Sequence, residues 1–127
     1  MNLAALFSGG KDSTYSILEA QKNGHVVKCL VTILASSDDS HLLHHPNLGL
    51  AALQAKAMKI PQITIAAKSP DTESELESLR EALSAAKKEY QIEGIVHGGI
   101  LSDFQKTKFE IFYSDTLLFI YFYSFFE

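Results

Sequence analysis

Six consecutive residues, Ser8-Gly9-Gly10-Lys11-Asp12-Ser13, combine the side chains and the backbone freedom needed to hold a phosphate. They follow Leu3-Ala4-Ala5-Leu6-Phe7, a continuous apolar run of the kind found in a strand buried on both faces of a parallel sheet. Gly9 and Gly10 place no Cβ between main chain and ligand, so successive N–H groups can converge on an anion. A helix starting there adds its unpaired first-turn amides and the positive end of its dipole. Lys11 supplies a compact positive charge, Ser8 and Ser13 supply hydroxyl donors, and Ser13 also suits a helix cap. Asp12 would repel a polyphosphate unless a cation lies between them, which points to a magnesium contact or to a structural role in the loop. The plainer alternative is a strand-to-helix turn with capping Ser and Asp and a solvated lysine. Two glycines, a lysine and two serines at one junction favour the phosphate reading. The spacing matches neither G-x-x-x-x-G-K-[ST] nor G-x-G-x-x-G.

Placed after an N-terminal strand, SGGKDS resembles the PP-loop of the N-type ATP pyrophosphatases, which split ATP between its α and β phosphates. The resemblance implies adenylation: a substrate oxygen attacks the α phosphate, pyrophosphate leaves, and a nucleophile then displaces AMP. On that reading Lys11 and a magnesium ion held through Asp12 neutralise charge building on the leaving group.

A chain of 127 residues with 46% hydrophobic and 20% charged residues is long enough for one globular domain with a single core. Its net charge of −4 argues against a broad basic surface for DNA or tRNA. The single cysteine, Cys29, excludes a disulfide framework, a multi-thiol zinc site and a CxxC redox pair, and a reducing cytoplasm fits. No basic segment followed by an apolar region opens the chain, so a signal peptide is not expected.

Hydrophobic periodicity orders the elements that must carry the loop. Tyr15, Ile17 and Leu18 fit an amphipathic helix ending at Asn23-Gly24, with the glycine as C-cap. Residues 26–34 read as a second strand, interrupted by Lys28 and Thr32. Pro46 suits the first residue of a helix running through Leu48, Leu50, Leu53, Ala57 and Met58, which Ile60-Pro61 closes. Residues 62–67 form a third strand. Thr72-Glu73-Ser74-Glu75 has the spacing of a capping box opening a long helix to about Tyr90, and residues 93–99 supply a fourth strand. Strands alternating with helices predict an α/β fold, a parallel sheet flanked by helices on both faces, with right-handed crossovers. Ligands then bind beyond the carboxyl ends of the strands, where strand order reverses. Residues 8–13, 35–45, 67–71 and 97–106 all fall at ends of that polarity.

Two further segments bear on chemistry. Residues 40–47 hold His41, His44 and His45 ahead of a helix start. Adjacent histidines point different ways and no supporting carboxylate stands nearby, so metal ligation is disfavoured; His44 is the pocket candidate, and His41 and His45 suit solvated or capping roles. Residues 98–110 place Gly98-Gly99 after a strand, then Ser102 and Asp103, then Gln105, Lys106 and Lys108. An ordinary glycine turn and a charged helix explain this block when it is taken alone. Beside the first loop, its lysines can meet phosphates or an adenylate, and Ser102 a substrate.

Leu6-Phe7 with the SGGKDS loop, His44 before Pro46-Asn47, Leu53-Gln54-Ala55 followed by Ile60-Pro61, and the Ser102-Asp103-Phe104-Gln105-Lys106 block resemble the diphthine ammonia ligase family in the same order, over residues 1–110. The resemblance implies a Rossmann-like PP-loop fold and ATP-dependent amidation of the diphthine carboxylate on elongation factor 2. Ammonium is then the nitrogen donor and ATP with Mg2+ the cofactors. It also implies site residues: Lys11, Asp12 and Ser102 in catalysis, and Ser8, Gly9, Gly10, Lys11, Asp12, Ser13, His44, Gly98, Gln105, Lys106 and Lys108 around the nucleotide. No DNA or membrane partner is expected. Two competitors stay open: another adenylating PP-loop enzyme, tRNA-modifying or amide-forming, and a non-catalytic ATP-binding fragment.

The family pattern continues into a second half with a glycine- and glutamate-rich motif, and this sequence instead turns aromatic. Residues 111–127 hold eight of the 13 aromatic side chains, so their composition differs from that of residues 1–110. The apolar stretch 117–126 is too short for a membrane-spanning helix and lacks basic anchors. It reads as an aberrant end, from a shifted frame or a truncated gene, that either adds a strand or remains an aggregation-prone segment.

Overall fold

A computed structural model describes residues 1–7, 11–34, 48–68, 71–98 and 119–123. The elements run β1 (Asn2–Leu6), α1 (Lys11–Lys22), β2 (Val26–Leu34), α2 (Leu48–Met58), β3 (Gln62–Ala66), α3 (Thr72–Tyr90), β4 (Gly94–Gly98) and β5 (Phe119–Tyr123). All strands pair in parallel in the order β3-β2-β1-β4-β5. This is the expected α/β architecture.

The apolar run of β1 occupies the middle of the sheet, and Leu3, Ala4 and Ala5 are fully buried there. Helices cover both faces. On one face Ile17 and Ala20 of α1 and Ala55 of α2 pack against Leu3, Ala5, Phe7, Leu30 and Val96. On the other, Leu79, Ala82, Leu83 and Ala86 of α3 pack against Ala4, Leu6, Cys29, Val31 and Ile95. The α3 residues recur at helical spacing, and each fully buried Leu or Ile side chain contributes about 1.5–3 kcal/mol.

Lys28, an apparent interruption in the second strand, marks a register shift. Leu3 pairs with Val27 but Ala4 with Cys29, so Lys28 is the extra residue of a bulge. The bulge changes the alternation: Val27 and Leu30 face α1 and α2, while Cys29, Val31 and Ile33 face α3. Lys28 itself is exposed. Without the extra residue, one face of β2 would lose its apolar set.

The helix ends follow local rules. α1 closes as the glycine predicted: Gly24 takes φ +86°, His25 N–H donates to Ala20 C=O at 3.0 Å and Gly24 N–H to Gln21 C=O at 3.1 Å, a Schellman pair. α2 ends with the same pattern and with Lys59 at φ 59°, where Ile60 N–H reaches Ala55 C=O at 3.2 Å. The expected start of that helix at Pro46 lies outside the described residues. The capping box at Thr72 and Glu75 is corrected: the cap is Asp71, whose Oδ1 accepts from Ser74 N–H at 2.8 Å and whose Oδ2 accepts from Ser74 Oγ at 3.1 Å. Asp71 has the shorter reach to the third amide, and Glu75 turns inward to complete burial.

Within 111–127, Phe119–Tyr123 forms β5 and pairs with β4 from Gly94↔Phe119 to Gly98↔Tyr123. Aromatic and β-branched residues favour extended backbone. No helix among the described residues is long and apolar enough to cross a membrane.

Two outcomes follow from this packing. Asp71→Ala lowers stability in urea titration by about 1 kcal/mol, the worth of an N-cap. The Cys29 thiol is pushed up to about 11, first by burial and then by the Glu89 carboxylate. Its contribution to stability is therefore intact below the unfolded thiol's pKa of 9.0 and is lost as pH rises towards 11. Native protein at pH 8 resists thiol alkylation until it unfolds, and Cys29→Ala flattens the loss of stability above pH 9.

Candidate functional site

The site is set by where the strand order turns around. From β1 the chain steps outward to β2 and β3, then returns to β4 on the opposite side of β1. A right-handed crossover moving one way puts its helix on one face, and a crossover moving back puts its helix on the other. This accounts for α1 and α2 on one face and α3 on the other. The reversal opens a crevice beyond the carboxyl ends of β1 and β4.

Four residues separate Leu6, the last of β1, from Lys11, the first of α1. The amino end of α1 therefore stands at the carboxyl edge of the sheet beside the reversal, and α1 packs against β4. Its first-turn amides and dipole favour an anion at that edge. Lys11 and Asp12 occupy the first two positions of α1 and Ser13 the third. Ser13 is thus inside the helix rather than at its cap, a correction to the capping role, and its carbonyl accepts a 2.7 Å bond from the buried Ser16 hydroxyl. Gly98 is the last residue of β4, across the crevice, and is half-buried. The sheet thus brings Lys11, Asp12, Ser13 and Gly98 to one edge. Ser8, Gly9, Gly10, His44, Ser102, Gln105, Lys106 and Lys108 lie outside the described residues, as do the side chains of Lys11 and Asp12.

Polar residues to which the sequence assigned no place near the site gather towards this same edge. Phe7 N–H donates to Val31 C=O at 2.9 Å, and Phe7 C=O accepts from Thr32 Oγ at 2.7 Å. The Thr32 hydroxyl in turn accepts from Gln62 Nε2 at 2.9 Å. Thr32 is 1% exposed. Its signal in the sequence is a hydroxyl residue within the apolar run that follows Lys28 in β2. Glu75, 0% exposed in the first turn of α3, continues the helix's buried stripe towards the sheet's carboxyl edge. A carboxylate out of water needs compensation, and a helix's first turn is where the dipole favours it. His97, next to Gly98, is half-buried.

Among the described residues, no group of three His, Cys, Asp or Glu could hold a metal ion.

The diphthamide synthase N-terminal domain family matches residues 1–115. Diphthine–ammonia ligases from Bos taurus and Homo sapiens are 34% and 33% identical to this chain, over 87% of it and 48% of their own length. The corresponding protein of Danio rerio is 31% identical, over 87% of this chain and 49% of its own. The chain spans about half the length of the curated relatives it matches.

Proposed function

The chain belongs to the diphthamide synthase N-terminal domain family, and on that premise we propose that it is the ATP-binding, adenylating half of a diphthine–ammonia ligase. The observation that carries the proposal is the amino end of α1 standing at the carboxyl edge of the sheet where strand order reverses. That edge suits a polyphosphate. A carboxylate oxygen of diphthine on elongation factor 2 attacks the α phosphorus of ATP, the bond from that phosphorus to the bridging oxygen breaks, and pyrophosphate leaves with the electron pair. Ammonia then adds to the acyl carbon, loses a proton, and AMP departs as the amide forms.

The residues divide the work by chemistry. The amides of residues 8–10 and the first turn of α1 bind the departing pyrophosphate, with Lys11 neutralising charge and Ser8 and Ser13 donating hydrogen bonds. Asp12 would hold Mg2+, which would supply further charge neutralisation. Gly98 leaves room for the nucleotide beside β4, and His44, Gln105, Lys106 and Lys108 approach its phosphates or the adenylate. Ser102 contacts the acyl group. The reaction belongs in the cytoplasm.

A second reading is a nucleotide-binding module without turnover, which the same anion-favouring edge at the start of α1 would also serve. Product analysis separates the two. With diphthine-modified elongation factor 2, ammonium, ATP and Mg2+, a ligase forms AMP and pyrophosphate; ADP as the product overturns the adenylation reading, and ATP protection without AMP supports the module. ATP at about 100 times its Kd raises stability by about 2.7 kcal/mol. Lys11→Ala weakens ATP binding by about 10- to 100-fold, the worth of a hydrogen bond to a charged group, measured by thermal shift or calorimetry. Unchanged affinity removes Lys11 from the site.

A further inference from the structure

We propose that Thr32 is a positioning residue for the phosphate-binding loop, acting through the main chain of Phe7 and itself oriented by Gln62. Phe7 is the last described residue before the loop, and both of its main-chain polar groups are tied to β2: its N–H to Val31 C=O at 2.9 Å and its C=O to Thr32 Oγ at 2.7 Å. A threonine hydroxyl has one proton to give. Gln62 Nε2 donates to Thr32 Oγ at 2.9 Å, so that proton has a single direction left, towards Phe7 C=O. The relay crosses three neighbouring strands, from β3 through β2 to the exit of β1. It lies where water is excluded, since Thr32 and Phe7 are both buried, and hydrogen bonds there are stronger and more costly to break.

Packing alone does not call for threonine at this position. Valine has nearly the same shape, matches β2's other inward residues and favours strands. The hydroxyl therefore serves the Phe7 carbonyl. Only three residues separate Phe7 from the first residue of α1, so the pin on Phe7 and the start of α1 bracket the segment whose amides would meet the pyrophosphate. Pinning that exit before ligand arrives removes ordering that binding would otherwise have to impose. The role rests on the phosphate-binding reading of residues 8–13.

The test combines a nucleotide-free readout with a nucleotide readout, in the full chain. In Thr32→Val, amide hydrogen exchange in a peptide spanning residues 7–14 quickens by about tenfold, the loss of about one buried hydrogen bond, while peptides from α3 keep their native rates. ATP affinity falls by a similar factor, and Thr32→Ser, which keeps the hydroxyl, restores both to within about threefold. Gln62→Leu, at the sheet edge, shifts exchange in the same direction by a smaller factor and serves if Thr32→Val does not fold. Unchanged exchange at residues 7–14 in a folded variant overturns the proposal, whatever happens to nucleotide binding. Quickened exchange with unchanged ATP affinity upholds the pin on Phe7 and overturns the placement of ATP at this loop. Loss of exchange protection throughout the chain, unrescued by serine, makes Thr32 merely structural and overturns the proposal.

Discussion

Right-handedness of the connection between parallel strands constrains almost everything else in this protein. Once β1 leads through α1 to β2 and through α2 to β3, both helices must lie on one face of the sheet. The return through α3 to β4 must then cover the other face. The reversal at β1 follows, and with it a crevice flanked by strand ends and by the amino end of α1. A site for an anion at that edge is thus a property of chain path and backbone dipoles before any side chain is considered.

Covering a sheet on both faces demands apolar residues in both phases of the strand alternation. β1 meets the demand with an unbroken apolar run. β2 meets it with a bulge, which lets Val27 and Leu30 serve one core while Cys29, Val31 and Ile33 serve the other. Lys28 is thereby carried to solvent instead of into either core. Cys29 is a casualty of the same arrangement in chemical terms: burial removes its thiolate and leaves it a small packing residue.

Against that apolar background the buried polar side chains cluster at one end. Thr32, Glu75 and Ser16 are buried in β2, α3 and α1, and Gln62 reaches Thr32 from β3. Burying hydroxyls and a carboxylate in place of hydrocarbon lowers stability unless they are bonded. Their placement on three elements that meet near the carboxyl edge links the stability of the fold to the order of the loop exit. On the proposed function that order has a use, since an adenylating site must hold its leaving group in place.

Elements with strong local signals were legible in the residues. The apolar run of β1, the β-branched run of β2, Gly24 at the end of α1 and the helical stripe of α3 depend on neighbours within a few positions, so periodicity and turn chemistry reveal them. The proposed chemistry of the loop rests on residue types alone, two glycines, a lysine and two serines. Other features needed three dimensions. Asp71 displaced Thr72 as the cap because the path of the chain, and not only the spacing, decides which oxygen reaches Ser74. Lys28 became a bulge only when β2 was set against β1, and Thr32 acquired its partners only when β3, β2 and β1 were side by side. The amino acids alone determined which segments fold into strands and helices and marked the loop proposed for a phosphate; tertiary structure decided strand order, the facing of each helix and the long-range hydrogen bonds, because those depend on contacts between residues far apart in the chain that no local pattern encodes.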